Sequence, residues 1–185
     1  KEGLFENIWI QPAAGDAGGA IGAALGAYYL HANKPRVIPD ELDAMQGSYL
    51  GPAYEQIDIE MRLQAVGAIF KTVDDAQLIE QTAQALAQGK AVGWHQGRME
   101  FGPRALGGRS ILADPRSPLV QKQLNLKVKY RESFRPFAPS VLRDDVAHWF
   151  DINSDSPYML LVANVHPEKQ IAMTSKEEAL FGIDK

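Results

Sequence analysis

The spacing of apolar residues changes several times along the chain, and each change marks an element. Residues 4–11 (LFENIWIQ) set Ile8, Trp9 and Ile10 side by side, the continuous apolar pattern of a short buried strand. Residues 12–30 (PAAGDAGGAIGAALGAYYL) predict a tight turn and then a helix whose small residues let another backbone come close. Residues 33–53 hold Pro35, Pro39, Gly47, Gly51 and Pro52 without periodicity and read as a surface connector. A helix is expected over 54–66, with Ile57, Met61 and Ala65 in phase, then a short strand over 68–73. Asp74 and Asp75 cap an amphipathic helix reaching about Ala87, with Ala76, Ile79, Ala83 and Leu86 on one face, and Gly89 ends it.

Further on, strands are expected at 91–94 (AVGW) and 110–113 (SILA), and a helix at 118–128 with Pro118 in its first turn. Residues 137–142 read as extended, 143–150 as a short helix, 158–165 (YMLLVANV) as a buried strand, and 176–180 as a last helical turn. Helices interleaved with short strands predict an α/β or α+β fold with a mixed sheet. No internal repeat or low-complexity tract interrupts the pattern.

Composition narrows the function. A chain of 185 residues, 45 % hydrophobic and 23 % charged, has the make-up of a globular domain, or one domain with a piece of another. The net charge of −4 argues against nucleic acid as a partner. The absence of cysteine removes disulfides, thiolate metal sites and thiol nucleophiles, and fits a cytoplasmic setting. No apolar run has the length of a membrane span and no signal segment opens the sequence, so no membrane partner is expected.

The charge is unevenly placed. Between Gly97 and Arg135 nine Lys or Arg face three acidic residues, Glu100, Asp114 and Glu132. Residues 97–116 (GRMEFGPRALGGRSILADPR) pack Arg98, Arg104, Arg109 and Arg116 among four glycines and two prolines. Glycine and proline at 102, 103, 107 and 108 stop a regular element from running through, which leaves a shaped loop with amides, guanidinium forks and the Ser110 hydroxyl. Such a loop suits phosphate or carboxylate oxygens. Equally, its arginines could pair with nearby carboxylates on an ordinary surface. A second block, Lys127, Lys129, Arg131 and Arg135, alternates, so an extended backbone would align them on one face as a cationic row or a lysine-protected edge strand. Asp16 fits a helix cap or, less readily, a metal-holding carboxylate beside a turn whose amides take a nucleotide phosphate. His95 and Glu100 flank the loop and read as orienting it, with Glu100 salt-bridged to one of its arginines. Trp94 and Phe101 read as core rather than as an adenine stack.

Together, residues 96–116 (QGRMEFGPRALGGRSILADPR) and 124–142 (LNLKVKYRESFRPFAPSVL) resemble the signature of the NodU/CmcH-type O-carbamoyltransferase family, which includes nodulation-factor, cephamycin and aminoglycoside carbamoyltransferases. The resemblance covers nearly the whole chain and implies the C-terminal part of such an enzyme, cut short near Lys185. It implies three segments: residues 1–33 as the end of an actin-like, Kae1-like ATPase domain, 34–53 as a connector, and 54–185 as a YrdC/Sua5-like domain with a twisted mixed sheet and flanking helices. The implied activity is formation of a carbamoyl-adenylate from carbamoyl phosphate and ATP, for transfer to an acceptor hydroxyl held by the N-terminal domain.

Carried onto this sequence, the resemblance makes Arg104, Arg109 and Arg131 catalytic candidates. Lys71, Arg98, Ser110, Lys127, Lys129, Arg135 and Ser140 become candidates for substrate or nucleotide binding, with Lys71 equally readable as a strand-end surface lysine. ATP and Mg²⁺ are implied, together with a divalent metal, iron being one candidate. Asp16 would join that metal only with ligands from the N-terminal domain. Gly108 stands where many members carry a larger polar residue, which bears on loop rigidity. The different-class alternative is a non-catalytic nucleotide- or phosphate-binding module that completes a partner domain. An RNA-binding role is opposed by the acidic charge and the lack of interleaved aromatics.

Overall fold

The computed structural model describes residues 4–6, 8–38 and 43–179. The chain divides into two units, residues 1–82 with 92–112 and residues 83–91 with 113–185.

In the first unit, helix α1 (Asp16–Gly26) continues as a π-helical turn over Ala27–His31. The glycines do what small residues were expected to do: the Gly18 amide donates to the Ala13 carbonyl at 2.7 Å, and a Cβ on Gly18 would lie 2.6 Å from that oxygen. Asp16 is not the cap. Gly15 holds the N-cap position without a side-chain bond, and Asp16 is the first helical residue. The strand expected at 4–11 is absent from the described residues there, and Ile8 and Trp9 are largely exposed. An apolar run predicts burial, but a strand also needs a neighbour for its amides and carbonyls; among the described residues none pairs with it.

Helix α2 (Gln56–Ala65) and helix α3 (Asp75–Ala87) lie where periodicity placed them. Asp74 Oδ1 accepts from the Gln77 amide at 2.8 Å, the expected cap, and Gly89 turns the chain at φ 76°. Residues 68–73 form no strand, and Ile69 is fully exposed. Strands β1 (Val92–His95) and β2 (Arg109–Leu112) pair antiparallel, Val92 opposite Leu112 and His95 opposite Arg109. Among the described residues the sheet has these two strands, where a larger mixed sheet was expected.

Residues 43–52 are more than a surface connector. Met45 and Ser48 are buried, and a 3₁₀ turn covers Gln46–Ser48. The Gly51 amide donates to the Met99 carbonyl at 2.9 Å, the Met99 amide to Pro52 at 3.0 Å, and the Phe101 amide to Ser48 at 2.6 Å. Proline and glycine hide this in the sequence, because backbone pairing of an irregular segment leaves no periodic trace.

The second unit contains helix α4 (Val120–Lys127), helix α5 (Val146–Trp149), which follows a 3₁₀ turn over Arg143–Asp145, and helix α6 (Ser175–Glu178). Thr174 and Glu177 close a reciprocal capping box on α6. The expected helical turn at 176–180 therefore forms early, and Leu180 lies outside the described residues. The strand expected at 158–165 is not formed: Val165 bridges Phe150, and Val162 is exposed.

Candidate functional site

The arginine-rich segment is the long connection of the β1–β2 hairpin. The Gln96 amide donates to the Gly108 carbonyl at 2.8 Å, carrying the ladder one step beyond the strands before the loop opens. Two glycines are required by backbone geometry, Gly102 at φ 107° and Gly107 at φ 118°. A Cβ on Gly102 would also sit 2.7 Å from the Ala13 side chain, so the turn before α1 closes on this loop.

Inside the loop lies a carboxylate. The Glu100 side chain is fully buried. Its Oε1 accepts from the Leu106 amide at 2.8 Å and the Gly108 amide at 2.7 Å, and its Oε2 accepts from Arg109 Nε at 3.2 Å. The pairing of Glu100 with a loop arginine is therefore as the sequence suggested. The amides expected to await an outside anion are, at 106 and 108, already taken by an internal one.

The loop arginines have separate roles. Arg109 also donates through Nη2 to the Gly102 carbonyl and, at 3.2 Å, to the Arg104 carbonyl. Arg98 Nε donates to Gly51 O at 2.7 Å, tying the loop to the segment beneath it. Arg116 grips Asp114, with Nη2 2.6 Å from Oδ2. Hydrogen bonds from the Arg116 side chain, and then from its backbone amide, hold the Asp114 carboxyl down at about 2. Arg104 differs: its side chain is exposed, and among the described residues its guanidinium has no hydrogen bond or ion pair. Ser110 lies on β2 opposite Trp94.

Residues 127–135 do not form the extended cationic row. Lys127 ends α4, Tyr130 takes φ 50°, and the Arg131 amide returns to the Asn125 carbonyl at 2.9 Å. The organiser is Asn125, which is fully buried. Its Nδ2 donates to Ser133 O at 3.0 Å and Arg135 O at 2.8 Å, and its Oδ1 accepts from Arg131 Nε at 2.6 Å. Arg131 also lies 4.9 Å over the Phe137 ring, and Arg135 pairs with Glu132 at 3.2 Å. Lys127 and Lys129 are exposed and, among the described residues, unpaired. Sequence reasoning passed over Asn125. An asparagine among apolar helix positions, between Leu124 and Leu126, was the available signal.

Comparison with known proteins settles the family. Residues 83–179 match the model for the carbamoyltransferase C-terminus and residues 1–25 the model for the carbamoyltransferase N-terminus. The chain belongs to the carbamoyltransferase family. An uncharacterised protein of Synechocystis is 54 % identical over 187 aligned residues, covering 100 % of this chain and 30 % of that protein. Nodulation protein NolNO of Sinorhizobium fredii is 40 % identical over 92 % of this chain and 25 % of its own length. Nodulation protein NolO of Bradyrhizobium diazoefficiens is 41 % identical over 90 % of this chain and 30 % of its own. The chain thus spans less than a third of the length of these relatives.

Among the described residues, the other candidates of this carbamoyltransferase segment have no hydrogen bond or ion pair to the loop. Lys71 is exposed on an irregular stretch of the first unit, and Ser140 is exposed on one of the second. Asp16 is exposed, and among the described residues no three His, Cys, Asp or Glu side chains gather to hold a metal. The residues present therefore do not by themselves make the implied metal site. Mg²⁺ finds no free carboxylate in the loop, since Glu100 and Asp114 are both engaged. An open depression of about 620 Å³ in the second unit, lined by residues including Asp151, Asn164 and His166, contains none of the candidate site residues. No helix among the described residues is long and apolar enough to cross a membrane.

Proposed function

We propose that this chain is the C-terminal part of an ATP-dependent O-carbamoyltransferase and that it carries the site where carbamoyl phosphate and ATP are joined. Carbamoyl phosphate, ATP and water yield carbamoyl-adenylate, phosphate and pyrophosphate. The acceptor hydroxyl oxygen then bonds to the carbamoyl carbon and AMP leaves. The observation that carries this reading is Arg104, an exposed guanidinium without a partner among the described residues, on a loop whose Leu106 and Gly108 amides and Arg109 Nε and Nη2 are already engaged. A cation held ready in this way stabilises phosphate charge without reorganising during the reaction. Within the second unit, taken by itself, Lys127, Lys129, the braced Arg131 and Arg135 are the cations proposed for the nucleotide or the second anion. Mg²⁺ would enter with the nucleotide, held by phosphate and water oxygens.

The finer fold reading belongs to the same proposal: a YrdC/Sua5-like domain preceded by the end of a Kae1-like domain. The match of residues 1–25 to the carbamoyltransferase N-terminus supports placing that end at the start of this chain. The acceptor is bound elsewhere in the longer protein, and a cytoplasmic location goes with ATP as substrate. The test is pyrophosphate release by the full-length protein given ATP, Mg²⁺ and carbamoyl phosphate. Release that is lost in Arg104→Ala and kept in Arg62→Ala supports the assignment. Equal release in the two variants refutes it, and binding of ATP with no release in the wild type leaves the non-catalytic module.

A further inference from the structure

We infer that Glu100 is a positioning residue of the anion site: it fills the amide pocket of the loop, ties Arg109 inward, and so presents Arg104 to the ligand. The inference rests on the anion-site reading above and adds a division of labour among the arginines. Glu100 is 4 % exposed as a residue, and both its oxygens are engaged. An arginine held in this way has committed Nε and Nη2 to the protein: Nε is on Glu100, and Nη2 is shared by the carbonyls of Gly102 and Arg104. Those carbonyls lie before and at Arg104, so Arg109 fixes the backbone from which Arg104 projects. Glu100 in turn fixes Arg109.

The floor of the arrangement is the segment 45–52. The Phe101 amide donates to Ser48 O at 2.6 Å and Met99 exchanges bonds with Gly51 and Pro52, so both neighbours of Glu100 are pinned. Gln46, Gly47 and Ser48 all take positive φ (49°, 67° and 67°), a run of left-handed residues that only surrounding contacts can maintain. Removing the partner of a buried charge is far more damaging than removing an exposed one. Coupling through the loop should therefore be visible in ligand affinity as well as in stability.

Glu100→Gln separates the two functions of the carboxylate. The amide oxygen can keep the Leu106 and Gly108 amides, whereas the amide nitrogen would face the Arg109 Nε–H donor to donor. The experiment measures pyrophosphate affinity by calorimetry in the full-length wild type, Arg104→Ala, Glu100→Gln and the double variant, well below their melting temperatures. Expected are about 10-fold weakening for Glu100→Gln and about 100-fold for Arg104→Ala. The double variant should be no weaker than Arg104→Ala, because Glu100 acts through Arg104. Wild-type affinity in Glu100→Gln, or multiplied effects in the double variant, overturns the inference while leaving the anion site standing. A wild type that does not bind pyrophosphate removes both. Should Glu100→Gln fail to fold, Arg109→Lys keeps the carboxylate with its amides and carries the same cycle.

Discussion

Glu100 Oε2 accepts from Arg109 Nε at 3.2 Å with the carboxylate side chain fully buried and the arginine partly open. One partner is wholly committed to the protein interior, and the other is the lever through which the loop is held. Truncating the arginine therefore leaves Oε2 of a buried carboxylate without its cation, while Oε1 keeps the Leu106 and Gly108 amides. Arg109→Ala is expected to lower stability by about 3 kcal/mol in chemical denaturation, whereas Arg104→Ala, at a side chain that is exposed and without a partner among the described residues, should stay within about 0.5 kcal/mol of wild type. Equal losses for the two variants would contradict this separation of roles.

Ser48 offers the opposite sign. It sits at φ 67°, and its buried hydroxyl has no hydrogen-bond partner among the described residues. Glycine removes both penalties and keeps the backbone bond to Phe101. Ser48→Gly is expected to raise stability by about 1 kcal/mol, read from the urea midpoint. If the strain serves the site, turnover falls as stability rises. A destabilised variant would mean that the hydroxyl has a partner of its own.

The parts legible in the sequence were those governed by local chemistry. The Asp74 cap and the extent of α3 were readable, as were the glycine stops at 89 and in the loop, because capping, period and positive φ each depend on a few adjacent residues, whereas the face expected to be buried leaves Ala76, Ile79 and Ala83 exposed. The strands expected at 4–11, 68–73 and 158–165 do not form, because the ladder partner and the covering surface that an apolar run needs are both nonlocal, and Ile8, Ile69 and Val162 stay exposed. The charge alternation from Lys127 to Arg135 failed for a related reason: Asn125 draws the carbonyls of Ser133 and Arg135 back to α4, and this overrides the two-residue period. In the loop itself the residue types left an anion site and internal pairing as equal readings, and did not reveal that Glu100 takes the Leu106 and Gly108 amides.

Asn125 should behave as a keystone of the second unit. Its side chain makes bonds to Ser133, Arg135 and Arg131 that alanine cannot make. Asn125→Ala is expected to destabilise by about 2–3 kcal/mol, with the Arg131 amide losing hydrogen-exchange protection. Asn125→Asp keeps the Arg131 acceptor yet loses the donor to two carbonyls, and should fall between alanine and wild type. Unchanged exchange at Arg131 in the alanine variant would show that the turn holds without it.

Acid should act on the Asp114–Arg116 turn late. Asp114 has its carboxyl lowered to about 2, first by the Arg116 side-chain hydrogen bond and then by the Arg116 amide. A depressed folded-state value means that the pair's contribution is fully present above the ordinary aspartate range, near 3.9, and is lost as pH falls toward about 2. Because its partner Arg116 is open to solvent, salt should weaken the effect. The carboxyl carbon shift of Asp114, followed by NMR from pH 6 downward, should begin to move only below about pH 3.5 at low ionic strength. In Arg116→Ala its midpoint should return toward 3.9. An Asp114 midpoint near 3.9 in the wild type would show that Arg116 does not hold it, and that the turn joining the loop to the second unit is set by Pro115 and the backbone alone.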